Sequence, residues 1–232
     1  MIHPQIPLPF NPSEPPGFNN FSVGENGLAA NLMVSLRDSR SVRQIYLWGG
    51  GHCGKSHLLL ATHRQWLAAG QRSFYASLAD NSLPVSLIDE LDFHDLVVLD
   101  DIHYVAHKPD WEMALFNLIN FSREGATKLI FGSRMAPSPE NWGLPDLASR
   151  LAWGPVLKLQ ELADEDIREA MLAAARQRGM QFDVEAANYL LTHYPRDLMS
   201  LLQAVATLDT ESIAAGRARI TIPFLKRCLT FD

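Results

Sequence analysis

The sequence predicts an α/β fold, in which a parallel sheet flanked by helices is followed by a small α-helical domain. Three observations predict it. Short apolar runs of strand length alternate with helical stretches up to Leu159, a glycine-rich phosphate-binding pattern joins one such run to a helix, and no strand-length run follows. Alternating strands and helices form parallel sheets that are covered on both faces.

Each element follows from its own pattern. Apolar runs of strand length lie at 44–48, 73–78, 95–99, 128–132 and 155–159. Helical periodicity is present at 57–69, which ends at Gly70, and at 109–124, which begins with a proline and ends at Gly125. Beyond the last strand the pattern is helical only, at 164–178, at 183–193, after Pro195 and near Pro223.

The chain therefore divides into three predicted parts. Residues 1–17 hold six of the 14 prolines, and proline cannot continue a helix, so an extended arm is expected there. Residues 18–160 form the α/β nucleotide-binding domain. Residues 161–232 form a helical lid domain.

Composition and charge exclude several classes of protein. Hydrophobic residues make up 47% and charged residues 20% of the 232 residues, which is typical of a folded globular chain. The formal net charge of −6 makes this a poor candidate for holding duplex DNA by its phosphates. No apolar run approaches a membrane span of about 18 residues, and the N-terminus lacks the features of a signal peptide. With two cysteines only, we expect a cytoplasmic protein in a reducing compartment.

Residues 49–56, GGGHCGKS, fit the P-loop pattern G-x-x-x-x-G-K-[ST]. Glycines let backbone N–H groups curl around phosphates, and the following helix offers its positive end. Lys55 is expected to reach the β- and γ-phosphates, and Ser56 to hold Mg²⁺. The predicted nucleotide-binding residues of the loop are Gly51, His52, Cys53, Gly54, Lys55, Ser56 and His57.

The acidic half of the site follows a buried strand. In residues 96–101, LVVLDD, the first aspartate, Asp100, lies 45 residues after the P-loop lysine. Asp100 is expected to orient Mg²⁺ through water, and Asp101 stands where a catalytic carboxylate could polarise the attacking water. Together the two motifs predict a domain that binds a nucleotide with Mg²⁺.

Several segments resemble the DnaA/Hda family of AAA+ ATPases. They are 18–26 (FNNFSVGEN), 54–59 (GKSHLL), 99–102 (LDDI) and the helical C-terminal part. The resemblance extends over residues 18–229. It implies an AAA+ fold that binds an adenine nucleotide, either ADP or ATP, with Val23 beside the adenine pocket.

Residues 143–154, GLPDLASRLAWG, are similar to the arginine-finger region of the Hda branch of that family. DnaA's N-terminal domain and basic helix-turn-helix domain have no counterpart in these residues, as in that branch. The resemblance implies a negative regulator of replication initiation, which stimulates hydrolysis of DnaA-bound ATP and so inactivates DnaA. It implies that Arg150 is an arginine finger acting in trans; an ion pair with Asp146, one turn earlier, is the structural alternative.

Two positions depart from the family pattern. Ser133 stands where DnaA has an acidic sensor after the fourth strand. Met199 stands where the lid carries a sensor arginine. Arg196, one turn earlier, could contact nucleotide instead, or it could be a solvated surface arginine. Because methionine cannot hydrogen-bond a phosphate, self-catalysed turnover is an open question, and the chain is expected to act mainly on a partner's ATP.

The N-terminal arm contains QIPLPF at 5–10, which resembles the short sliding-clamp-binding motif of bacterial replication proteins. The clamp-binding residues it implies are Gln5, Ile6, Leu8, Pro9 and Phe10. Prolines restrict the free arm and so reduce the entropy lost on docking. The alternative is an arm that packs on its own domain.

The partners implied are DnaA and the clamp, the β subunit of DNA polymerase III, in a protein associated with the nucleoid and replisome. Arg37, Arg40 and Arg43 form a small basic run, for which a solvated loop and weak DNA contact are the alternatives; a homodimer is left open, and no membrane partner is expected. Two rival functions stay open: a self-contained remodelling ATPase and a helicase-loader-like adaptor.

Overall fold

A five-stranded parallel sheet is the centre of the unit formed by residues 16–161. The computed structural model describes residues 15–91, 93–195 and 197–231. The strands lie in the order β2-β3-β4-β1-β5. They are β1 (Gln44–Trp48), β2 (Ser73–Ser77), β3 (Leu96–Asp100), β4 (Lys128–Ser133) and β5 (Val156–Lys158). The predicted α/β class is confirmed.

The two faces of the sheet bury separate apolar cores, as the alternation of side chains along a strand requires. In β3, Val97 and Leu99 enter one core while Leu96 and Val98 enter the other. Every residue of β3 is buried, which is the burial expected for a central strand covered on both sides.

The described residues of this unit form four α-helices: α1 (Gly27–Ser35), α2 (Lys55–Ala68), α3 (Pro109–Glu124) and α4 (Pro145–Leu151). The strand order places β3, β4 and β1 side by side. The carboxyl ends of these strands therefore bring Asp100, Ser133 and the P-loop to one edge of the sheet. Trp48, the last residue of β1, pairs with Ser133 in the register.

Residues 162–231 belong to the second unit, the helical lid. Its helices are α5 (Asp164–Gln177), α6 (Val184–His193), α7 (Leu198–Ala215) and α8 (Ile222–Cys228). Met171, Leu190 and Leu201 are among its fully buried core residues. Two short strands that the sequence analysis did not predict, β6 (Gln181–Phe182) and β7 (Arg219–Ile220), pair in parallel. Within the described part of the chain, no helix has the length and apolarity to span a membrane.

Candidate functional site

The P-loop lies between β1 and α2 and is folded around its own lysine. The Lys55 side chain is only 7% exposed. Its Nζ donates to the carbonyl oxygens of Gly49 (3.0 Å) and Gly50 (2.6 Å) and contacts Cys53 Sγ at 3.5 Å. The Cys53 thiol in turn donates to the Gly50 carbonyl at 3.2 Å. The ammonium group is thus held where the loop's backbone surrounds it.

Glycine is required in this loop for two reasons. Gly54 has φ +87°, in the left-handed region, and a Cβ there would lie 2.8 Å from Phe21 Cε2. A Cβ on Gly49 would lie 2.6 Å from the Leu159 carbonyl oxygen. By contrast, a Cβ on Gly51 would meet no atom within 4 Å. The loop is close-packed on one side and has room beside Gly51, as a phosphate cradle requires.

Asp100, the last residue of β3, is 1% exposed. Its carboxylate accepts hydrogen bonds from the Tyr75 hydroxyl (3.2 Å) and the Asp101 N–H (2.8 Å), and it is hydrogen-bonded to the Ser56 side chain. Burial raises the pKa of Asp100, and these hydrogen bonds oppose that rise. A serine hydroxyl beside a buried carboxylate is the hard-oxygen donor set that Mg²⁺ prefers. The residues present therefore fit the predicted metal.

Asp101 adopts a left-handed conformation, with φ 56° and ψ 30°. Such a backbone costs a non-glycine residue about 1–3 kcal/mol and is concentrated at functional sites. Its Oδ2 accepts a 2.8 Å hydrogen bond from the Ser77 hydroxyl, at the end of β2. The carboxylate proposed to act on water is therefore fixed in direction by the neighbouring strand.

Ser133 is fully buried at the end of β4. Its hydroxyl accepts from the Met135 N–H at 3.1 Å, and its carbonyl accepts from the Gly49 N–H at 3.3 Å. The Tyr46 hydroxyl donates to the Met135 carbonyl at 2.9 Å, and burial raises the pKa of Tyr46. Ser133 thus links the end of β4 to the first residue of the P-loop.

His103 is a residue at this edge that the sequence analysis did not assign to the site. Its Nδ1 accepts from the Arg134 N–H at 3.4 Å, while its Nε2 is buried and has no hydrogen-bond partner among the described residues. Burial lowers the pKa of His103; Asp101 opposes this, whereas Arg134 and Lys55 lower it further. The signal that could have found it is its position two residues after the acidic pair.

The segment before α1 lies against the exit of the P-loop. His57 Nε2 donates to the Gly17 carbonyl at 2.9 Å, and the Phe21 ring lies 5.4 Å from the His57 ring. Buried Asn26 forms two hydrogen bonds with the backbone of Gln160, at 2.8 and 2.9 Å. Val23, predicted beside the adenine pocket, is 42% exposed.

Arg150 lies near the end of α4 and is half-buried. Its guanidinium donates to Asn120 Oδ1 and lies 4.0 Å from the centre of the Phe116 ring and 4.7 Å from that of Trp153. Within the described residues it forms no ion pair with Asp146, so the structure does not show the ion pair named as the structural alternative. The three side chains that contact the guanidinium are neutral, so none of them cancels its positive charge.

Other predicted site residues have different outcomes. The clamp-binding residues of the arm and Arg196 lie outside the described residues. Met199 is the second residue of α7 and is largely exposed.

Family models match most of the chain. The bacterial DnaA ATPase domain matches residues 14–158, and the Hda lid domain matches residues 164–229. The chain belongs to the DnaA/Hda family of AAA+ proteins. The two models together cover both units of the structure.

Individual relatives agree with this assignment. An uncharacterized protein of Haemophilus influenzae is 36% identical, over 98% of this chain and 99% of its own length. Domain III of DnaA from Thermotoga maritima superposes with a TM-score of 0.75 at 20% identity, over 97% of this chain and 98% of that one. AMPPCP-bound DnaA from Aquifex aeolicus gives 0.72 at 21% identity, over 84% of this chain and 65% of that one. These two likenesses establish the DnaA-type AAA+ fold.

Proposed function

We propose that this protein is a negative regulator of DNA replication initiation that stimulates hydrolysis of ATP bound to DnaA. The observation that supports it best is the Arg150 guanidinium, fixed by Asn120, Phe116 and Trp153 with no carboxylate partner among the described residues. Membership of the DnaA/Hda family, including a lid of the Hda type, supports DnaA as the partner.

The protein's own P-loop binds an adenine nucleotide in this proposal. Relatives in the family, such as the AMPPCP-bound DnaA, bind a nucleotide of this kind. Lys55 exchanges its bonds to the Gly49 and Gly50 carbonyls for bonds to phosphate oxygens, and loop N–H groups contact the phosphates. Ser56 and Asp100 would hold Mg²⁺, which would supply positive charge to neutralise the phosphate oxygens.

Arg150 acts on the partner's nucleotide. A guanidinium is planar and permanently charged, so it can contact two oxygens of a phosphoryl group as negative charge develops there. Arginine fingers of this kind contribute about 10³–10⁵ to the rate. The arm residues Gln5, Ile6, Leu8, Pro9 and Phe10 dock the protein on the sliding clamp, which places the finger near DnaA.

Replacing the finger tests the proposal. Arg150→Ala should reduce clamp-dependent ATP hydrolysis by DnaA by about 10³-fold, while the protein's own nucleotide affinity and its clamp binding stay unchanged. Arg150→Lys should not restore activity, because an ammonium lacks the planar fork. Arg123→Ala is the matched control, since Arg123 also stacks on Trp153, at 4.2 Å. Stimulation by Arg150→Ala at the wild-type rate would remove the finger assignment.

Two separate measurements test the rival functions, a self-contained ATPase and a helicase-loading adaptor. ATP turnover of about 1 s⁻¹ by the purified protein alone would favour a self-contained ATPase. A pull-down that offers clamp, DnaA and replicative helicase in parallel separates the regulator from a helicase-loading adaptor. We expect capture of DnaA and clamp and no capture of helicase.

A further inference from the structure

Glu112 of α3 is a buried carboxylate that accepts backbone hydrogen bonds from the loop just before α3 and from the distant segment Gly143–Leu144. It is 2% exposed. Its Oε1 accepts from the N–H groups of His107 (2.7 Å) and Gly143 (2.9 Å), and its Oε2 accepts from that of Leu144 (2.6 Å). Within the described residues it has no cationic partner. A buried carboxylate is tolerated only when its oxygens are bonded in this way.

Two of these three N–H groups lie at the start of α4, the helix that carries Arg150. Leu144 is the N-cap residue of α4, and Gly143 precedes it. The first N–H groups of a helix have no partner within the helix. A carboxylate there satisfies them and also interacts favourably with the helix dipole. Glu112 therefore fixes where α4 begins.

A second buried side chain holds the other end of the same helix. Gln44, the first residue of β1, is 7% exposed. Its Nε2 donates to the carbonyl oxygens of Arg150 (2.8 Å) and Leu151 (2.9 Å). Helices shorter than about 12 residues are marginal on their own. The seven-residue α4 is thus held at both ends by side chains from outside it.

The same face of α3 also holds the tip of the finger. Phe116 and Asn120, which contact the Arg150 guanidinium, follow Glu112 at intervals of four residues. Residues four apart lie one above another on a helix. On this face of α3, Glu112 therefore fixes the start of α4, and Phe116 and Asn120 hold the Arg150 guanidinium.

We propose that Glu112 is a positioning residue for the Arg150 finger. It sets the place of α4 on α3 so that the guanidinium is directed before the partner arrives. This inference rests on the proposed function, because it assigns to Glu112 the orientation of the group that acts on the partner's nucleotide. Errors of about 1 Å in such a group can cost about 100-fold in rate.

Glu112→Gln is the primary test. The amide oxygen can keep the bonds to His107 and Gly143, but the amide nitrogen then faces the Leu144 N–H and loses that bond. We expect the maximal rate of clamp-dependent DnaA ATP hydrolysis to fall roughly tenfold or more. The concentration of the variant that gives half-maximal stimulation and its own nucleotide affinity should stay within about twofold, since binding surfaces are unchanged.

Two further variants control for folding and charge. Glu124→Gln makes the same chemical change at an exposed position of α3 and should leave the rate unchanged. Gly143→Ala keeps the charge but places a Cβ 3.2 Å from Glu112 Oε2, and it should lower the maximal rate without altering nucleotide affinity. Hydrogen exchange of residues 143–151 should accelerate in Glu112→Gln and Gly143→Ala, while exchange in β3 stays as in the wild type.

The outcomes separate this proposal from the one on which it rests. Loss of stimulation in Arg150→Ala together with full stimulation in Glu112→Gln would overturn the positioning role alone. Full stimulation in Arg150→Ala would overturn the proposed function itself. A parallel loss of nucleotide affinity in Glu112→Gln would also overturn the positioning role, because it would show a general structural effect.

Discussion

The Lys55 ammonium donates a 2.6 Å hydrogen bond to the carbonyl oxygen of Gly50, five residues earlier in the P-loop. Since this side chain is buried, the carbonyls of Gly49 and Gly50 supply the acceptors that water would otherwise provide. In the proposed function, nucleotide binding would exchange these bonds for bonds to phosphate oxygens, which carry the opposite charge. The loop is thus folded around the charge that the proposal assigns to phosphate binding.

Lys55→Ala should abolish binding of ADP and ATP, because it removes the ammonium group that supplies the main positive charge next to the β-phosphate. Isothermal titration calorimetry in the presence of Mg²⁺ measures the loss. Lys108→Ala is the control, since Lys108 is an exposed lysine before α3 and its removal should leave the affinity unchanged. Micromolar affinity in the Lys55 variant would contradict the P-loop assignment.

The overall architecture could be predicted because each strand of the five-stranded sheet and each long helix except α1 has a local pattern. The strand predicted at 95–99 is observed at Leu96–Asp100, a shift of one residue. Helix α4 was not predicted. Seven residues carry little periodicity, and the side chains that hold its ends, Glu112 and Gln44, are distant in the sequence.

The motifs of the site could be predicted from the sequence, whereas the hydrogen-bond partners of its residues could not. The acidic pair follows from the apolar run that precedes it. The hydrogen bonds from Tyr75 to Asp100 and from Ser77 to Asp101 depend on β2 lying next to β3. Sequence order does not fix which strands are neighbours, so these partners became visible only with the sheet topology.

Gly132→Ala should destabilise the larger unit. A Cβ at this position would lie 2.3 Å from Asp100 Oδ1 and 2.6 Å from Leu59 Cδ1, and overpacking of this kind costs about 1–3 kcal/mol. Gly51→Ala should leave nucleotide-free stability unchanged, since its Cβ would meet no atom within 4 Å. All five tryptophans lie within residues 48–153, so urea denaturation followed by tryptophan fluorescence reports on this unit. Equal unfolding midpoints for the two variants would contradict the expected clash.

Replacing Gln5, Leu8 and Phe10 together with alanine should eliminate binding to the sliding clamp. These residues lie outside the described part of the structure, and the expectation comes from the motif alone. Surface plasmon resonance with immobilised clamp measures the loss, and Ser13→Ala provides a control within the arm. The melting temperature should not change. A large decrease would indicate instead that the arm packs on its own domain.

The stability of the larger unit should fall as the pH drops from 7.5 to 5.5, in part through His63. This side chain on α2 forms a 2.8 Å hydrogen bond with the Ser73 hydroxyl and lies 6.0 Å from the Tyr75 ring. Burial, and secondarily the charge of Arg64, lowers the pKa of His63. A histidine with a depressed folded pKa contributes stability that is complete above its unfolded pKa of about 6.5. That stability is lost as the pH falls toward the folded value, because the unfolded chain binds the proton more readily.

His63→Asn should therefore reduce the loss of stability between pH 7.5 and 5.5 without abolishing it, since burial also lowers the pKa of His103. Asparagine keeps a polar atom near the position of Nδ1 and cannot be protonated. Urea midpoints of the nucleotide-free protein, read from tryptophan fluorescence at the two pH values, measure the difference. The same substitution at exposed His107, whose φ of 61° asparagine tolerates, should leave the pH dependence as in the wild type. If the His63 variant lost as much stability as the wild type, titration of His63 would not be linked to folding.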